Sequence, residues 1–261
     1  MITLIRNRNL ILDMAKRDAL GKYKGSRLGV LWSLLTPIIM LTIYTFVFSE
    51  IFQARWSTAN ASKSEFAIIL FTGLIVFNLF AENVGRAPGI IIGNENFVKK
   101  IVFPLEIFPV INLLSSLFHL CISWFILLIF QFFIMGKIPV TIFFLPMIVI
   151  PLLLICLGIS WFLSAIGVFL RDIAQTVSLV ITGLMFLSPI FFPLSSIPKR
   201  WQDFAVLNPM VFPIEQARNV QIWGTMPDMS EWAVYTLAAV TIAWLGYACF
   251  QVTRKGFADV L

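Results

Sequence analysis

Lys22–Pro37 reads KYKGSRLGVLWSLLTP, a basic cluster that runs without a break into apolar residues. From Val30 to Phe48 the chain stays apolar apart from scattered hydroxyls. A water-soluble fold has no reason to set Lys22, Lys24 and Arg27 against such a run. In a bilayer the cations stay with water and lipid phosphates while the residues that follow enter hydrocarbon. Composition agrees. Of 261 residues, 59% are hydrophobic and 12% charged, and the mean hydropathy is +0.93. Soluble domains carry about 25% charged residues, so this chain lacks the polar surface to cover a soluble core. It reads as an integral membrane protein.

A helical crossing takes about 20 apolar residues. Working outward from the first junction, six candidate spans emerge: Leu28–Phe52, Phe66–Val84, Ile107–Met135, Thr141–Leu170, Thr176–Pro193 and Trp232–Gln251. Their apolar runs are continuous, which favours helices over a barrel, whose strands alternate. The expected fold class is an all-α integral membrane protein with six transmembrane helices. It has an N-terminal interfacial helix and short re-entrant or periplasmic helices between spans five and six. One domain covers residues 1–261: an interfacial segment 1–27, a six-span bundle 28–251 and a tail 252–261.

Met1–Ser26 carries too many charges to span and is assigned to the interface, although Asp18 interrupts the apolar arc of Leu10, Ile11 and Met14. Gly85–Glu106 forms the loop between spans two and three. In Ser188–Glu231, Pro189, Pro193, Pro198, Pro209 and Pro213 cut the chain into short helical pieces. These fold back toward the bilayer where protein can satisfy their backbone groups.

Basic residues set the orientation. With the N-terminus inside, 13 lysines and arginines fall in inside segments and 6 in outside ones, so both termini are expected in the cytoplasm. The net charge of +6 lies beside apolar spans and suits anionic lipid headgroups. No basic patch forms a nucleic-acid module. Cys121, Cys156 and Cys249 sit in apolar spans and form neither a disulfide framework nor a metal site. No cleavable signal peptide is read at the start.

Several chemistries lack their residues. No G-x-x-x-x-G-K-[ST] occurs, so ATP use must come from another polypeptide. All 13 carboxylates fall in loops or near span ends, whereas an ion-coupled carrier needs an ionisable group inside the membrane. His119, near the middle of span three, has no evident carboxylate partner and reads as a packed, hydrogen-bonded residue. Asp172 beside Arg171 is the best site for a membrane glycosyltransferase base, and a local ion pair explains it as well.

Five stretches in order then carry a resemblance: Lys22–Pro37, with Leu28-Gly29, Trp32 and Pro37; Asn94-Glu95-Asn96-Phe97-Val98-Lys99-Lys100-Ile101-Val102-Phe103-Pro104; Phe169-Leu170-Arg171-Asp172-Ile173; Ser188-Pro189; and Leu207-Asn208-Pro209. Spread over the whole chain, they resemble the ABC-2 type permeases that export polysaccharide. The resemblance implies a transport subunit and not an enzyme. Two copies would form the pore, and a cytoplasmic ABC ATPase dimer would bind ATP and Mg, leaving this chain without a cofactor. The cargo would be undecaprenyl-diphosphate-linked polysaccharide, with O antigen expected over capsule or teichoic acid precursors. The location would be the bacterial inner membrane. Alternatives are an ABC-2 exporter of drugs or other lipids, or a membrane-embedded glycosyltransferase.

Within that frame, Lys22, Lys24 and Arg27 are topological anchors that can also attract a diphosphate, Arg27 bidentately. Trp32 joins them as a candidate substrate contact. Tyr44, Phe46 and Phe48 in span one, and Phe186, Phe191 and Phe192 in span five, offer aromatic faces along which sugars can slide; lipid contact or packing is their plainer role. The resemblance places ATPase coupling at Asn94, Glu95, Asn96, Phe97, Val98, Lys99 and Lys100, as a short helix whose apolar side docks in the ATPase. Glu215 and Arg218 are spaced to pair on one helical turn, as a surface pair or as a gate contact.

Overall fold

The apolar runs fold as helices, and no strand occurs among the described residues. The computed structural model describes residues 4, 6–47, 63–99 and 103–261. Phe48 and Lys100 therefore lie outside the described residues, as does the C-terminal part of the first expected span.

Helix α1 (Arg8–Gly21) buries Ile11, Ala15 and Ala19, one residue per turn along a single face. Ile11 and Ala15 join the packed cluster of Phe108 and Ile111. Asp18, which interrupts the apolar arc in sequence, forms a two-pronged ion pair with Arg86 at 2.9 and 3.0 Å. The helix is thus fastened to the bundle by an apolar face and a charge pair. Its interruption is one of its attachments.

Span one is α2 (Trp32–Phe46), span two α3 (Lys63–Arg86). They differ sharply in surroundings. Along α2 only Ser33, Pro37 and Leu41 are buried, a single stripe on an otherwise exposed apolar helix. Along α3 every residue from Phe66 to Phe80 is buried except Asn78, so α3 is the central post. A short helix α4 (Glu95–Lys99) follows, then α5 (Ile107–Met135) and α6 (Leu145–Phe169). Helix α5 stops where Gly136, at φ +67, takes the left-handed conformation and its N–H donates to the Phe132 carbonyl at 3.0 Å.

Helix α7 (Ile173–Leu187) is the shortened counterpart of the fifth expected span, Thr176–Pro193. Its 15 residues rise about 22 Å against a hydrocarbon core of about 30 Å. Ser188 turns extended before Pro189, which favours an extended residue ahead of it. Among the described residues, five other helical stretches are long and apolar enough to cross a membrane. Then come α8 (Lys199–Val206), α9 (Val211–Arg218), α10 (Met229–Thr253) and the terminal turn α11 (Phe257–Val260).

Pairings between helix ends show which termini share a side. Arg254, just past α10, pairs with the buried Glu106, just before α5, at 2.9 Å. Arg86 at the end of α3 holds Asp18. The N- and C-terminal flanks therefore sit at one end of the bundle. Close backbone packing holds the helices between: a Cβ on Gly246 of α10 would overlap the Gly158 carbonyl of α6, and one on Gly167 would overlap the Pro88 carbonyl.

Buried polar groups knit the interior. With the Asn83 amide oriented to satisfy both its ends, its nitrogen donates to the Cys156 carbonyl at 3.1 Å. Its oxygen accepts from Leu113 N–H at 3.1 Å and from Asn112 Nδ2 at 3.0 Å. Gln131 Nε2 donates to the Gln221 carbonyl at 2.8 Å, and Gln221 Nε2 returns a bond to Gln131 Oε1 at 3.0 Å.

Candidate functional site

Three spans and the end of α1 enclose a cleft of about 470 Å³. Each span turns one helical stripe toward it. From α2 come Ser33, Thr36, Pro37, Met40 and Tyr44; from α3, Phe71, Ile75, Asn78 and Glu82; from α5, Ser116, His119, Leu120 and Ser123. These spacings of three and four residues are those of one helix face. Asn78 and Glu82 interrupt the burial of α3 because they belong to this face.

At the mouth, the Lys22 ammonium pairs with the Glu82 carboxylate. His119 Nδ1 lies 3.0 Å from Glu82 Oε1 and 3.3 Å from Lys22 Nζ. On the other side of the ring, Nε2 is 3.2 Å from the Tyr23 hydroxyl. With a proton on Nδ1 the ring donates to Glu82, and its Nε2 meets the Tyr23 hydroxyl. Burial, and then the Glu82 charge, raise the Tyr23 pKa, so the phenol keeps its proton. His119 accordingly has the carboxylate partner that sequence reasoning did not find for it. Glu82 was the missed residue. Its signal was the Asn78–Glu82 spacing, matched on α5 by Ser116, His119 and Ser123.

The other candidates divide. Lys22 and Tyr44 line the cleft. Lys24 and Arg27 are exposed outside it, as is Trp32, whose indole N–H donates to Ser26 Oγ at 3.0 Å. Phe46 is exposed on the outer side of α2. Phe186 and Phe191 stack with ring centroids 6.1 Å apart at the end of α7, and Phe192 is half-buried beside them. Tyr44 and Phe191 both pack against the central core, while Phe186 is exposed.

The loop after α3 divides by polarity. In α4 the apolar residues face home: Phe97 packs on Phe103 and Phe108, with centroids 4.8 and 5.5 Å away, and Val98 joins the same cluster. Glu95, Asn96 and Lys99 are the exposed residues, with Glu95 and Lys99 paired at 3.5 Å along the helix. Asn94 donates to the Ile90 carbonyl at 2.8 Å and steadies the turn into α4. Among the described residues of this stretch the exposed face is polar, and Ile101 and Val102, the other apolar residues expected to dock, lie outside the described residues.

Glu215 and Arg218 do pair, at 3.3 Å, but inside the protein. Arg218 is 0% exposed. Its Nε donates to the Ile69 carbonyl at 3.0 Å, Nη2 to the Ile190 carbonyl at 2.9 Å and Nη1 to the Pro189 carbonyl. One guanidinium thus binds α3, the break after α7 and its own helix. It closes the carbonyls that Pro189 leaves exposed, as a segment folded back into a bundle requires.

Comparison with known proteins follows the same residues. A family model described as "ABC-2 type transporter" matches residues 9–222. An O-antigen export system permease protein RfbA of Klebsiella pneumoniae is 25% identical over 255 residues, covering 97% of this chain and 95% of that protein. Its namesake in Myxococcus xanthus is 26% identical over 268 residues and 99% of both chains. The polysialic acid transport protein KpsM of Escherichia coli is 28% identical over 245 residues, 92% of this chain and 90% of its own. The family match runs from α1 to just past α9 and takes in every element around the cleft. The chain belongs to the ABC-2 type transporter family.

Proposed function

We propose that this chain is the permease subunit of an ATP-driven exporter of lipid-linked polysaccharide, with O antigen as its cargo. The observation that carries this reading is the near end-to-end match to O-antigen export permeases of two organisms. The match to a polysialic acid transport protein has the same cargo class, polysaccharide, and supports capsule export as the second reading.

Two copies surround the path, and a cytoplasmic ABC ATPase dimer binds ATP and Mg and drives it. The single domain crosses the inner membrane six times with both termini in the cytoplasm, α7 and the folded-back segment making the fifth crossing. The shared side of the two terminal flanks supports an even number of crossings. Lys24 and Arg27, exposed at that side, gather the diphosphate of an undecaprenyl carrier, with Trp32 beside them. The polar face of α4 meets the ATPase. The stacked Phe186 and Phe191 with Phe192, and Tyr44, contact sugar, and the Glu215–Arg218 pair steadies the outer gate.

A deletion strain tests the reading. Surface polysaccharide should disappear while lipid-linked glycan accumulates inside. Normal surface polysaccharide in a strain with no second exporter would overturn it.

A further inference from the structure

The cleft beside α2 has a built polarity that the export reading does not itself require. Charge gathers at its mouth, where Lys22, Glu82 and His119 meet. The rest of the lining mixes polar side chains, Thr36, Tyr44, Asn78 and Ser123, with apolar ones, Pro37, Met40, Phe71 and Ile75. A cleft that only met lipid tails would gain nothing from these hydroxyl and amide groups, whose burial in hydrocarbon is costly. A cleft that held only water would not need its apolar side chains. The mixed lining fits an amphiphile with a polar head and an apolar chain.

The mouth also shows which head. Lys22 and His119 come from elements 97 residues apart in sequence and converge on one carboxylate. Glu82 stands where an external anion would be held, with the ammonium as its point-charge partner. The pair is incompletely buried, the two side chains retaining 29% and 27% exposure, so water and solutes reach it. Thr36 and Met40 are exposed, so the cleft opens sideways along α2 and leaves a chain room to trail into the bilayer.

We propose that this cleft binds a phosphate-bearing lipid and that Glu82 is its resident counter-ion, giving up Lys22 when a phosphate enters. Glu82 keeps its bond to His119 Nδ1 as Lys22 swings on its flexible stem to the phosphate. The bound head then lies among Thr36, Asn78 and Ser123, and the chain runs along Pro37, Met40, Phe71 and Ile75. The Lys22–Glu82 pair thereby closes the cleft to passing anions. The identification of the lipid with the glycan carrier rests on the export reading; the site itself rests on the cleft.

The test is equilibrium binding of radiolabelled undecaprenyl phosphate to the full-length chain in phosphatidylcholine nanodiscs, with thermal midpoints confirming that each variant folds. Lys22→Met should weaken binding at least tenfold. Glu82→Gln, which removes the competing carboxylate, should tighten it at least threefold. If the ion pair only pins α1 to the bundle, Glu82→Gln leaves affinity unchanged or lower, and that result overturns the proposal. Should Glu82→Gln fail to fold, Asn78→Phe fills the cleft without touching the pair and should abolish binding; unchanged affinity there overturns the proposal equally. Lys255→Gln makes the same charge change outside the cleft and should stay within twofold of wild type; a loss matching Lys22→Met would mean diffuse surface attraction and contradict the site. Free pyrophosphate should compete poorly. Competition as strong as the lipid's would make the ligand a soluble phosphate and overturn the lipid assignment. Glycan export measured in parallel separates the two readings, because export intact with no Glu82 or Asn78 effect sinks this proposal alone.

Discussion

Gly73 of α3 lies beneath the Arg218 guanidinium, and a Cβ placed on it would stand 2.7 Å from Arg218 Nη2. The central helix leaves out a side chain at the point where the folded-back segment inserts its cation. Arg218→Met should therefore strand the carbonyls of Pro189 and Ile190 without their donor and leave Glu215 unpaired, while the Ile69 carbonyl keeps its helical bond. Each buried group left unpaired costs about 1–3 kcal/mol, so thermal unfolding in detergent should show a loss of about 3 kcal/mol or more. Gly73→Ala should give a smaller loss, about 1–3 kcal/mol, because the arginine tip can shift only by weakening its own bonds. No change in either variant would contradict the assignment of Arg218 as a clamp.

Gly158 and Gly246 meet where α6 packs on α10, with backbone against backbone and no flexible side chain to give way. Small residues at such crossings are what allow membrane helices to approach. Gly246→Ala should push α10 away from α6 and cost at least the 1–3 kcal/mol usual for overpacking, about the loss of most folded protein in a marginal detergent. Recovery of monodisperse protein on size exclusion reads the outcome. Gly183→Ala, where nothing lies within 4 Å of a built Cβ, should be tolerated.

The Asp18–Arg86 pair fixes the docking of α1 and has a pH dependence of known sign. Burial opposes the charged Asp18, but the bonds and charge of Arg86 outweigh it and lower the pKa below 3.8. A carboxyl with a lowered folded pKa stabilises fully above its unfolded value and loses that contribution as pH falls through the folded one. Docking should thus hold above about pH 4 and weaken below it. Asp18→Asn should remove the pH-dependent part and cost about 0.5–1 kcal/mol at neutral pH, as expected of a partly solvated pair. A spin label on Leu12, an exposed residue of α1, would report the undocking.

Helix α4 should tolerate changes by face. Glu95→Lys on the exposed face should leave the melting temperature nearly unchanged, as surface substitutions do within about 0.5 kcal/mol, yet reduce copurification of the ATPase partner. Phe97→Ala should do the reverse first, destabilising the Phe103–Phe108 cluster by about 2 kcal/mol. If Phe97→Ala abolished assembly without any stability loss, the apolar side would be the docking face after all.

What the sequence discloses follows from range. Ile107–Met135 is the same helix in the sequence reading and in the structure, because a long apolar run with a following glycine is a local signal. The fifth span was read too long because Ile190, Phe191 and Phe192 are as apolar as the helix before them; only Pro189 marks the break. Asp18 seemed a blemish on α1 because its partner lies 68 residues away. His119 seemed solitary because Glu82 lies 37 residues off on another span. Phe97 looks available to a partner in sequence because Phe103 and Phe108, which pack on it, lie outside its own helix. Arg218 offered its i,i+3 partner in sequence but not the three backbone carbonyls that explain its burial.

The central claim is ATP-driven movement of lipid-linked glycan, and inverted membrane vesicles holding this chain with its ATPase measure it most directly. With ATP, lipid-linked glycan on the outer face of the vesicles should become protected from an added glycosidase; with ADP, or without this chain, it should stay sensitive. Sensitivity that persists with ATP in vesicles where both subunits are assembled would contradict the account.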